Sequence, residues 1–315
     1  MILVTGATGL IGRRLVPHLV EAGWAVRVLV QPRRAGRLAR FEWLDDVDVV
    51  TGQLDEDERL HQAMQGVHTV FHLAGAQWWG RARDLERVDV QGTRAVVTAA
   101  RAARIGRLYY LSMLGSEPSS AYPSLRIKGQ IEGIVRNSGV PYTIMRTGVV
   151  FGPDDRFVNG VAMVLRSNPL VVLQPGAGET LVHPIYVQDL VQALGNSLEK
   201  IDLVDKTIEI GGAEYVSVYE MLRTVMRVSG ASRMIIPLPP YALRSLTALL
   251  TRALPGWPIT QQWFDLLASN RTTKLGNLFD YCDVRPVRFE DTLLTYMPQR
   301  HYGRELLRSL FSRSH

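Results

Sequence analysis

The stretch "TGATGLIG", residues 5–12, follows an apolar run directly and opens a segment of helical periodicity. It spaces Gly6, Gly9 and Gly12 three residues apart. Glycines at such a turn allow a tight reversal and let a pyrophosphate approach the backbone, while the N-terminus of the helix faces the anion. Because a predicted strand precedes the turn and a predicted helix follows it, the spacing is specific. We predict that this turn binds a dinucleotide, although Pro17 should kink the helix.

The fold class follows from the alternation of patterns around this turn. Short apolar runs such as "AVRVLV", "TVFHLA", "LYYLS" and "YTIM" are separated by stretches with apolar residues at helical spacing. Nearly continuous apolar strands separated by helices indicate a parallel sheet covered on both faces. We predict an α/β fold, a doubly wound parallel sheet of Rossmann type with a smaller, mostly helical C-terminal lobe. The nucleotide domain is placed at 1–211, with an insertion belonging to the lobe at about 152–180, and the substrate or partner lobe at 212–315.

Composition limits the compartment and the partners. A chain of 315 residues with 46% hydrophobic and 21% charged residues is expected to fold fully. Its single cysteine, Cys282, excludes an internal disulfide and fits a reducing compartment. The opening "MILVTG" is typical of a buried strand and not of an export signal, so we expect a cytoplasmic protein, with a peripheral position at the inner face of the membrane as the alternative.

The net charge of +6 comes mainly from arginines. The basic segment 27–40 lacks the interleaved aromatic residues of a nucleic-acid-binding module, so we predict no nucleic-acid partner. The basic C-terminal tail, "QRHYGRELLRSLFSRSH", leaves contact with a membrane complex or a membrane surface open, beside the simpler interpretation of a solvated terminal helix.

The end of the second predicted strand bears on the choice of cofactor. Gln31 stands where an acidic residue would bond the adenosine ribose of NAD, and Arg33 and Arg34 follow it. Arginines at this place accommodate the 2′-phosphate of NADP. We therefore predict NADP(H) as the preferred cofactor, with NAD(H) as the alternative. The two arginines could also simply solvate a loop.

Several motifs in a fixed order carry a resemblance to a known family. "TGATGLIG", "TVFHLAG", "VDVQGTRAVVTAAR", "RIKG" and "HPIYVQDL" occur over about residues 1–195. Together they resemble the short-chain dehydrogenase/reductase superfamily in its extended and atypical branches. "GPDDRFVNGVAMVLR" and "PITQQWFDLLASN" are similar to the group that includes the dehydrogenase-like accessory subunit of respiratory complex I and its bacterial relatives.

The resemblance implies a set of site residues. Lys128 would bind the nicotinamide ribose hydroxyls, Ser112 begins the serine-bearing loop, and Tyr122 joins them as a candidate catalytic residue. The residues implied to bind the cofactor are Thr5, Gly6, Thr8, Gly9, Leu10, Ile11, Gly12, Arg33, Arg34, Leu54, Leu73, Ala74, Gly75, Ser112 and Lys128. The chain departs from the family's pattern at four places: Gln53, Asp89, Met113 and Ser124.

Ser124 raises the central question about chemistry. In the family's mechanism a tyrosine four residues before the lysine exchanges a proton with the substrate. Ser124 stands there instead, with a hydroxyl that is too short and too weakly acidic for that role. Tyr122 remains a candidate acid if Pro123 starts the helix and leaves Tyr122 in the loop.

Lys128 has two interpretations. It could be an exposed helix lysine paired with Glu132, four residues on. Against this, it is the only lysine in the first 199 residues of an arginine-rich chain. Lysine differs from arginine in having a pKa that falls on burial, which suits a ribose-binding or proton-transferring site. We favour the site.

The remaining candidates are weaker. His72 and His183 are expected to be structural, and no spacing predicts a metal site. Trp78 and Trp79 could equally form a pocket wall or pack within a loop. In "YALRSLTALLTRALPGW" an apolar stripe could lie on a bilayer surface, although we favour its burial; its members are Leu243, Leu246, Leu250 and Leu254.

Two functional hypotheses follow. The first is an NADP(H)-dependent oxidoreductase that lacks the usual tyrosine and acts on a small molecule of unknown identity. The second is a non-catalytic, nucleotide-holding accessory or assembly subunit of a respiratory (complex I-like) or other membrane complex.

Overall fold

The computed structural model describes residues 1–36, 38–76, 85–254, 257–267 and 269–311, with the backbone alone for the last two. The chain divides into two compact units. The first contains 1–147, 187–210 and 277–284, and the second contains 148–186, 211–276 and 285–315. The stretch 277–284, within the lobe as bounded from the sequence, thus belongs to the first unit.

A sheet of seven parallel strands forms the centre of the first unit, in the order β3-β2-β1-β4-β5-β6-β11. The strands are β1 (Ile2–Thr5), β2 (Val26–Val30), β3 (Asp48–Thr51), β4 (Thr69–His72), β5 (Arg107–Met113), β6 (Tyr142–Thr147) and β11 (Lys206–Ile210). This order is that of the Rossmann fold, whose topology reverses between β1 and β4. The predicted doubly wound parallel sheet is confirmed.

Helices follow the strands along the chain, and the longer ones are amphipathic. They cover the sheet because their apolar faces are buried against it. They are α1 (Gly12–Glu21), α2 (Pro32–Ala35), α3 (Asp57–Met64), α4 (Gly92–Ala102), α5 (Pro123–Arg136), α7 (Val187–Asn196) and α11 (Asn277–Cys282). A π-helical segment, Leu85–Gln91, leads into α4, and α1 continues through Pro17 to its end. All four residues of β1 and of β4 are buried, which explains why neither strand alternates between apolar and exposed polar residues.

The register brings the ends of several strands to one edge of the sheet. Thr5, the last residue of β1, lies opposite Leu29 of β2 and His72 of β4. His72 in turn lies opposite Tyr110 of β5. Because these strands are parallel, the segments that follow them emerge at the same edge, beside the point where the topology reverses. Ligands of such sheets bind at this place.

The second unit is mostly helical, as predicted. Its helices are α6 (Val158–Ser167), α8 (Val218–Val228), α9 (Pro240–Ala253), α10 (Gln261–Leu266), α12 (Phe289–Tyr296) and α13 (Tyr302–Phe311). Its strands form three pairs: β7 (Val150–Phe151) with β10 (Ile185–Tyr186), β8 (Val171–Pro175) with β13 (Met234–Leu238), and β9 (Leu181–Val182) with β12 (Val216–Ser217). None of the helices in the described part of the chain is both long enough and apolar enough to span a membrane.

Candidate functional site

The turn after β1 can be built only with glycine at two of its three predicted positions. Gly6 has a φ of +76°, and a Cβ atom there would lie 2.7 Å from the backbone of Leu73 and Ala74. A Cβ atom at Gly12 would lie 2.4 Å from the carbonyl oxygen of Gly6. The backbone N–H of Gly9 donates to that same carbonyl at 2.9 Å. Close contacts between backbone segments therefore set the shape of the turn.

The N-terminus of α1 faces open space at this turn. Among the described residues, a Cβ atom added at Gly9 would meet only the carbonyl oxygen of Gly6, at 3.2 Å. The first turn of α1 holds no acidic residue, and no side chain caps it at Ile11. Thr8, Gly9, Leu10 and Ile11 are all partly exposed. A helix end without a side-chain cap, with an open glycine beside it, fits a pyrophosphate.

His72 bonds the side chain of Thr5, the residue directly before Gly6 of the turn. Its Nδ1 lies 2.8 Å from the hydroxyl oxygen of Thr5, and its Nε2 lies 3.0 Å from that of Thr93. Because the Thr93 hydroxyl donates to the carbonyl of Asp89, Nε2 donates to Thr93 and Nδ1 accepts from Thr5. Burial, helped by the charge of Lys128, lowers the pKa of His72 from its ordinary 6.5 to about 3. The ring is therefore neutral and structural.

The segment after β4 is held against Asp89. Leu73, Ala74 and Gly75 are partly exposed, and the N–H of Ala76 donates to the buried Asp89 carboxylate at 2.8 Å. Burial raises the pKa of Asp89, opposed by the charge of Lys128 and by the bond from Ala76. An aspartate thus makes the backbone contact at the place where the family's pattern has asparagine.

The predicted adenosine-side residues follow neighbouring strands. Arg33 is exposed and Arg34 partly exposed in α2, which begins directly after β2 at the same edge as the glycine turn. Leu54, after β3, is partly exposed and packs against the start of α4, since a Cβ atom at Gly92 would lie 2.9 Å from its side chain.

Lys128 is turned inward from α5. Its Nζ donates to the carbonyl of Leu111 at 3.3 Å and lies 4.9 Å from the centroid of the Tyr110 ring. Burial lowers the pKa of Lys128, and the carboxylates of Asp89 and Glu132 oppose that shift. The alternative of an exposed lysine paired with Glu132 is wrong, because among the described ion pairs Glu132 bonds two arginines instead.

Glu132 is the centre of a polar cluster that sequence reasoning missed. Its side chain is fully buried and receives bonds from the Ser112 hydroxyl at 2.6 Å, from Arg136 at 2.5 Å and from Arg146 at 2.9 and 2.8 Å. Arg136 lies four residues on, so its pairing could have been read from the helix. Arg146 lies on β6, and no local pattern marks it as a partner. The hydroxyl of the predicted catalytic Ser112 is therefore engaged by a structural carboxylate.

The start of α5 places the two remaining candidates. Pro123 is the first residue of the helix, as predicted, and Tyr122 precedes it in an extended conformation with its side chain partly exposed. Ser124 is 4% exposed within the first helical turn. The structure thus separates Tyr122, at the helix boundary, from Ser124, which is packed inside.

The other candidates are structural or lie elsewhere. His183 is buried and its Nε2 lies 2.9 Å from the carbonyl of Gly212. Trp78 and Trp79 lie outside the described residues. Within the described parts of the chain, no group of three or more His, Cys, Asp or Glu side chains could hold a metal ion.

Comparison with known proteins shows the family of this chain. The sequence model of a family described as NAD(P)H-binding matches residues 6–164, about half of the chain. A protein named ceramide reductase, from Caulobacter vibrioides, is 32% identical over 263 residues, which are 79% of this chain and 77% of that protein. This chain belongs to the NAD(P)H-binding family of atypical short-chain dehydrogenase/reductases.

Two further comparisons define how far the likeness extends. Subunit 9 of the mouse mitochondrial NADH dehydrogenase [ubiquinone] 1 alpha subcomplex is 28% identical over 246 residues, which are 75% of this chain but 63% of that protein. A nucleoside-diphosphate-sugar epimerase from Staphylococcus aureus has a similar structure, with a TM-score of 0.74 over 95% of this chain and 99% of that one. At 14% identity that likeness shows the fold alone.

The arrangement in this NAD(P)H-binding protein is chemically asymmetric. The glycine turn, the helix end and the segment after β4 supply backbone groups that suit a dinucleotide. At the end of β5, Lys128 is the cation turned inward, Ser124 is packed in the helix, and the Ser112 hydroxyl bonds Glu132. Groups that would bind a nucleotide are therefore present, while the usual hydroxyl donors are replaced or engaged.

Proposed function

We propose that this protein binds NADP(H) at the edge formed by β1, β2, β4 and β5, and that it is an oxidoreductase working without the family's tyrosine. The observation that carries the proposal is the position of Lys128, held inward between the Leu111 carbonyl and the Tyr110 ring. An inward lysine with a lowered pKa has no evident role on a helix surface. It suits a ribose-binding and proton-transferring site.

In this proposal, the bound nucleotide supplies or accepts a hydride. The N–H groups at the start of α1 bind its pyrophosphate, and glycine at position 9 leaves room for it. Arg33 and Arg34 bind the 2′-phosphate that distinguishes NADP from NAD. Lys128 binds the nicotinamide ribose hydroxyls and passes a proton to the substrate, directly or through water. Its lowered pKa makes it a stronger acid than a solvated lysine.

A second candidate is a nucleotide-holding accessory or assembly subunit. Two observations favour it: Ser124 is buried where the tyrosine would stand, and the Ser112 hydroxyl bonds Glu132. The relative from mouse bears the name of a subunit of NADH dehydrogenase. In this role the nucleotide would stabilise the fold by mass action and would not be turned over. The exposed Arg304 and Arg308 of α13 offer a basic surface for a membrane complex.

The lifetime of the bound nucleotide separates the two roles. The protein would be purified without added nucleotide, any bound nucleotide identified, and its release measured in the presence of excess unlabelled NADPH. A turnover cofactor must leave in each cycle, so the oxidoreductase predicts release within seconds. Retention for hours would favour the accessory role.

Lys128 variants sharpen the result. Lys128→Ala should weaken NADPH binding by about tenfold, since a partly buried cation and its bonds to the ribose are lost. Lys206→Ala, at an exposed lysine of β11, is the matched control and should change nothing. Unchanged NADPH binding and unchanged turnover in Lys128→Ala would show that Lys128 neither binds the nucleotide nor transfers a proton.

A further inference from the structure

A long segment of the second unit carries only positive charge. Between Glu220 and Asp265 the sequence has no acidic residue and no lysine. Its charged residues are Arg223, Arg227, Arg233, Arg244 and Arg252. A 315-residue chain with 30 acidic residues would be expected to place several in a segment of this length. Arg227 and Arg244 form ion pairs with Glu290 and Asp265, so the excess of positive charge in the segment rests on Arg223, Arg233 and Arg252.

The same segment exposes large apolar side chains on α9. Tyr241 is 74% exposed, Leu249 65%, Leu246 39% and Leu254, just after the helix, 38%. The leucine stripe expected to pack inward does so only in part: Leu243 is buried, whereas Leu246 and Leu254 are exposed. We name the exposed set, Tyr241, Leu246, Leu249 and Leu254, the α9 patch.

The geometry of α9 places an arginine beside this patch. Tyr241, Ser245, Leu249 and Arg252 follow one another at spacings of three or four residues, so they share one face of the helix. All four are exposed. A helix that presents large apolar residues together with arginine, and no acidic residue, has the character of helices that lie in the interface of an anionic membrane.

Charge argues against a second copy of this chain as the partner that covers the α9 patch. If a second copy of the chain covered the α9 patch symmetrically, the exposed Arg252 of each copy would approach the same face of the other, and the two like charges would repel. An anionic bilayer both buries the apolar side chains and attracts the arginines. Single exposed leucines are ordinary on protein surfaces, but a group of them on one helix within a segment free of acidic residues is not.

We propose that α9 docks on the surface of an anionic lipid bilayer, with the α9 patch in the interface and Arg252 at the headgroups. The helix would lie in the plane of the membrane, because it has 14 residues and cannot span the hydrocarbon core. This contact is independent of the nucleotide site, which lies in the other unit.

Vesicle flotation tests the proposal. The full chain would be mixed with vesicles of phosphatidylcholine containing about one third phosphatidylglycerol, and separately with pure phosphatidylcholine vesicles. We expect binding to the anionic vesicles and at least tenfold weaker binding to the neutral ones, since each arginine near the surface contributes about fivefold. Leu249→Glu should lower binding to the anionic vesicles by about tenfold or more, and Arg252→Gln by a few-fold.

The matched control is Ile201→Glu. Ile201 is 84% exposed in the first unit, so this substitution adds the same charge at an apolar residue that is even more exposed than Leu249 and lies in the other unit. It should leave binding to the anionic vesicles within twofold. Circular dichroism and the thermal midpoint verify folding of each variant, and Tyr241→Ser is a second variant of the patch should Leu249→Glu fail to fold.

Three results would overturn the proposal: equal binding to both kinds of vesicle, unchanged binding in Leu249→Glu and Tyr241→Ser, or an equal loss in Ile201→Glu. A change of oligomeric state in Leu249→Glu without vesicle binding by the parent protein would assign the patch to contacts between copies. NADPH affinity, measured on the same variants, should stay unchanged, so failure here is distinguishable from failure of the proposed nucleotide function.

Discussion

The glycine turn after β1 and the end of β5 lie at one edge of the same sheet, yet they are held in different ways. At the turn, backbone atoms pack on backbone atoms, and the added Cβ distances of 2.4–2.7 Å at Gly6 and Gly12 leave no room for another residue. At the end of β5, side chains from β5, α5 and β6 meet at Glu132. The first region is specified by backbone sterics, to which the segment after β4 contributes through Leu73 and Ala74. The second region is specified by side chains from three elements that meet at one carboxylate.

The largest expected effect comes from breaking the side-chain region. Glu132→Gln leaves Arg136 and Arg146 without their carboxylate and should lower the free energy of unfolding by about 3 kcal/mol, since removal of one partner of a buried pair costs several kcal/mol. Chemical denaturation measures the change. Glu290→Gln is the control: its partner Arg227 is 66% exposed, so the loss should stay below about 0.5 kcal/mol. Equal losses in the two variants would show that the cluster at Glu132 does not hold β5 to α5.

The next effect concerns the backbone region. Gly12→Ala forces the turn apart and should weaken NADPH binding at least a hundredfold, or about 2.7 kcal/mol, as measured by calorimetry. Gly133→Ala, at a position of α5 with no heavy atom near the added Cβ, is the control and should bind normally. Gly9→Ala, whose Cβ clears all but one described atom, keeps the fold and should also weaken binding. Normal binding in Gly9→Ala would mean that the pyrophosphate does not lie at this turn.

A smaller effect links the two regions through His72. The unfolded chain protonates this histidine near pH 6.5, whereas in the folded protein its pKa is about 3. Because the unfolded state takes up the proton first, the free energy of unfolding should fall as the pH drops from about 6.5 toward 3, by about 2 kcal/mol at pH 5. His72→Gln should flatten this dependence. The exposed His61 supplies the control, His61→Gln, which should keep the parent slope; a parent slope in His72→Gln would contradict a neutral His72.

The smallest expected effect tests the choice of cofactor. Arg33→Ala should weaken NADPH binding by about tenfold, through loss of a charge-assisted bond to the 2′-phosphate, and should leave NADH binding within twofold. Arg40→Ala, at another exposed arginine beyond β2, should affect neither. An equal loss of affinity for NADPH and NADH in Arg33→Ala would show that Arg33 does not bind the 2′-phosphate.

Much of the first region could be predicted from the sequence. The spacing of Gly6, Gly9 and Gly12 between an apolar run and a helical pattern indicated the strand, the turn and the helix together. Pro123 correctly indicated where α5 begins. The φ restrictions of glycine and proline belong to the residue itself, so a sequence displays them directly. The close approach of Leu73 and Ala74 to Gly6 does not show in the local pattern.

The second region could be predicted only in part. The lone lysine of the first 199 residues indicates a site at Lys128, but helical spacing alone also suggests a pair with Glu132, which instead bonds two arginines. The bond from Ser112 to Glu132 joins residues 20 apart, and that from Arg146 joins residues 14 apart on different elements. The burial of the α9 leucines was also misjudged, because helical periodicity identifies an apolar face without showing what covers it.

The sequence by itself determined the parallel sheet, the glycine turn between β1 and α1 and membership of a nucleotide-binding family, because the φ restrictions of single residues and hydrophobic periodicity are visible along the chain. Only the tertiary structure decided that Lys128 points inward, that the Ser112 hydroxyl donates a hydrogen bond to Glu132, and that large apolar side chains of α9 are exposed. Those outcomes depend on which residues of other elements contact a given side chain, and on how much of a helix face the neighbouring elements cover.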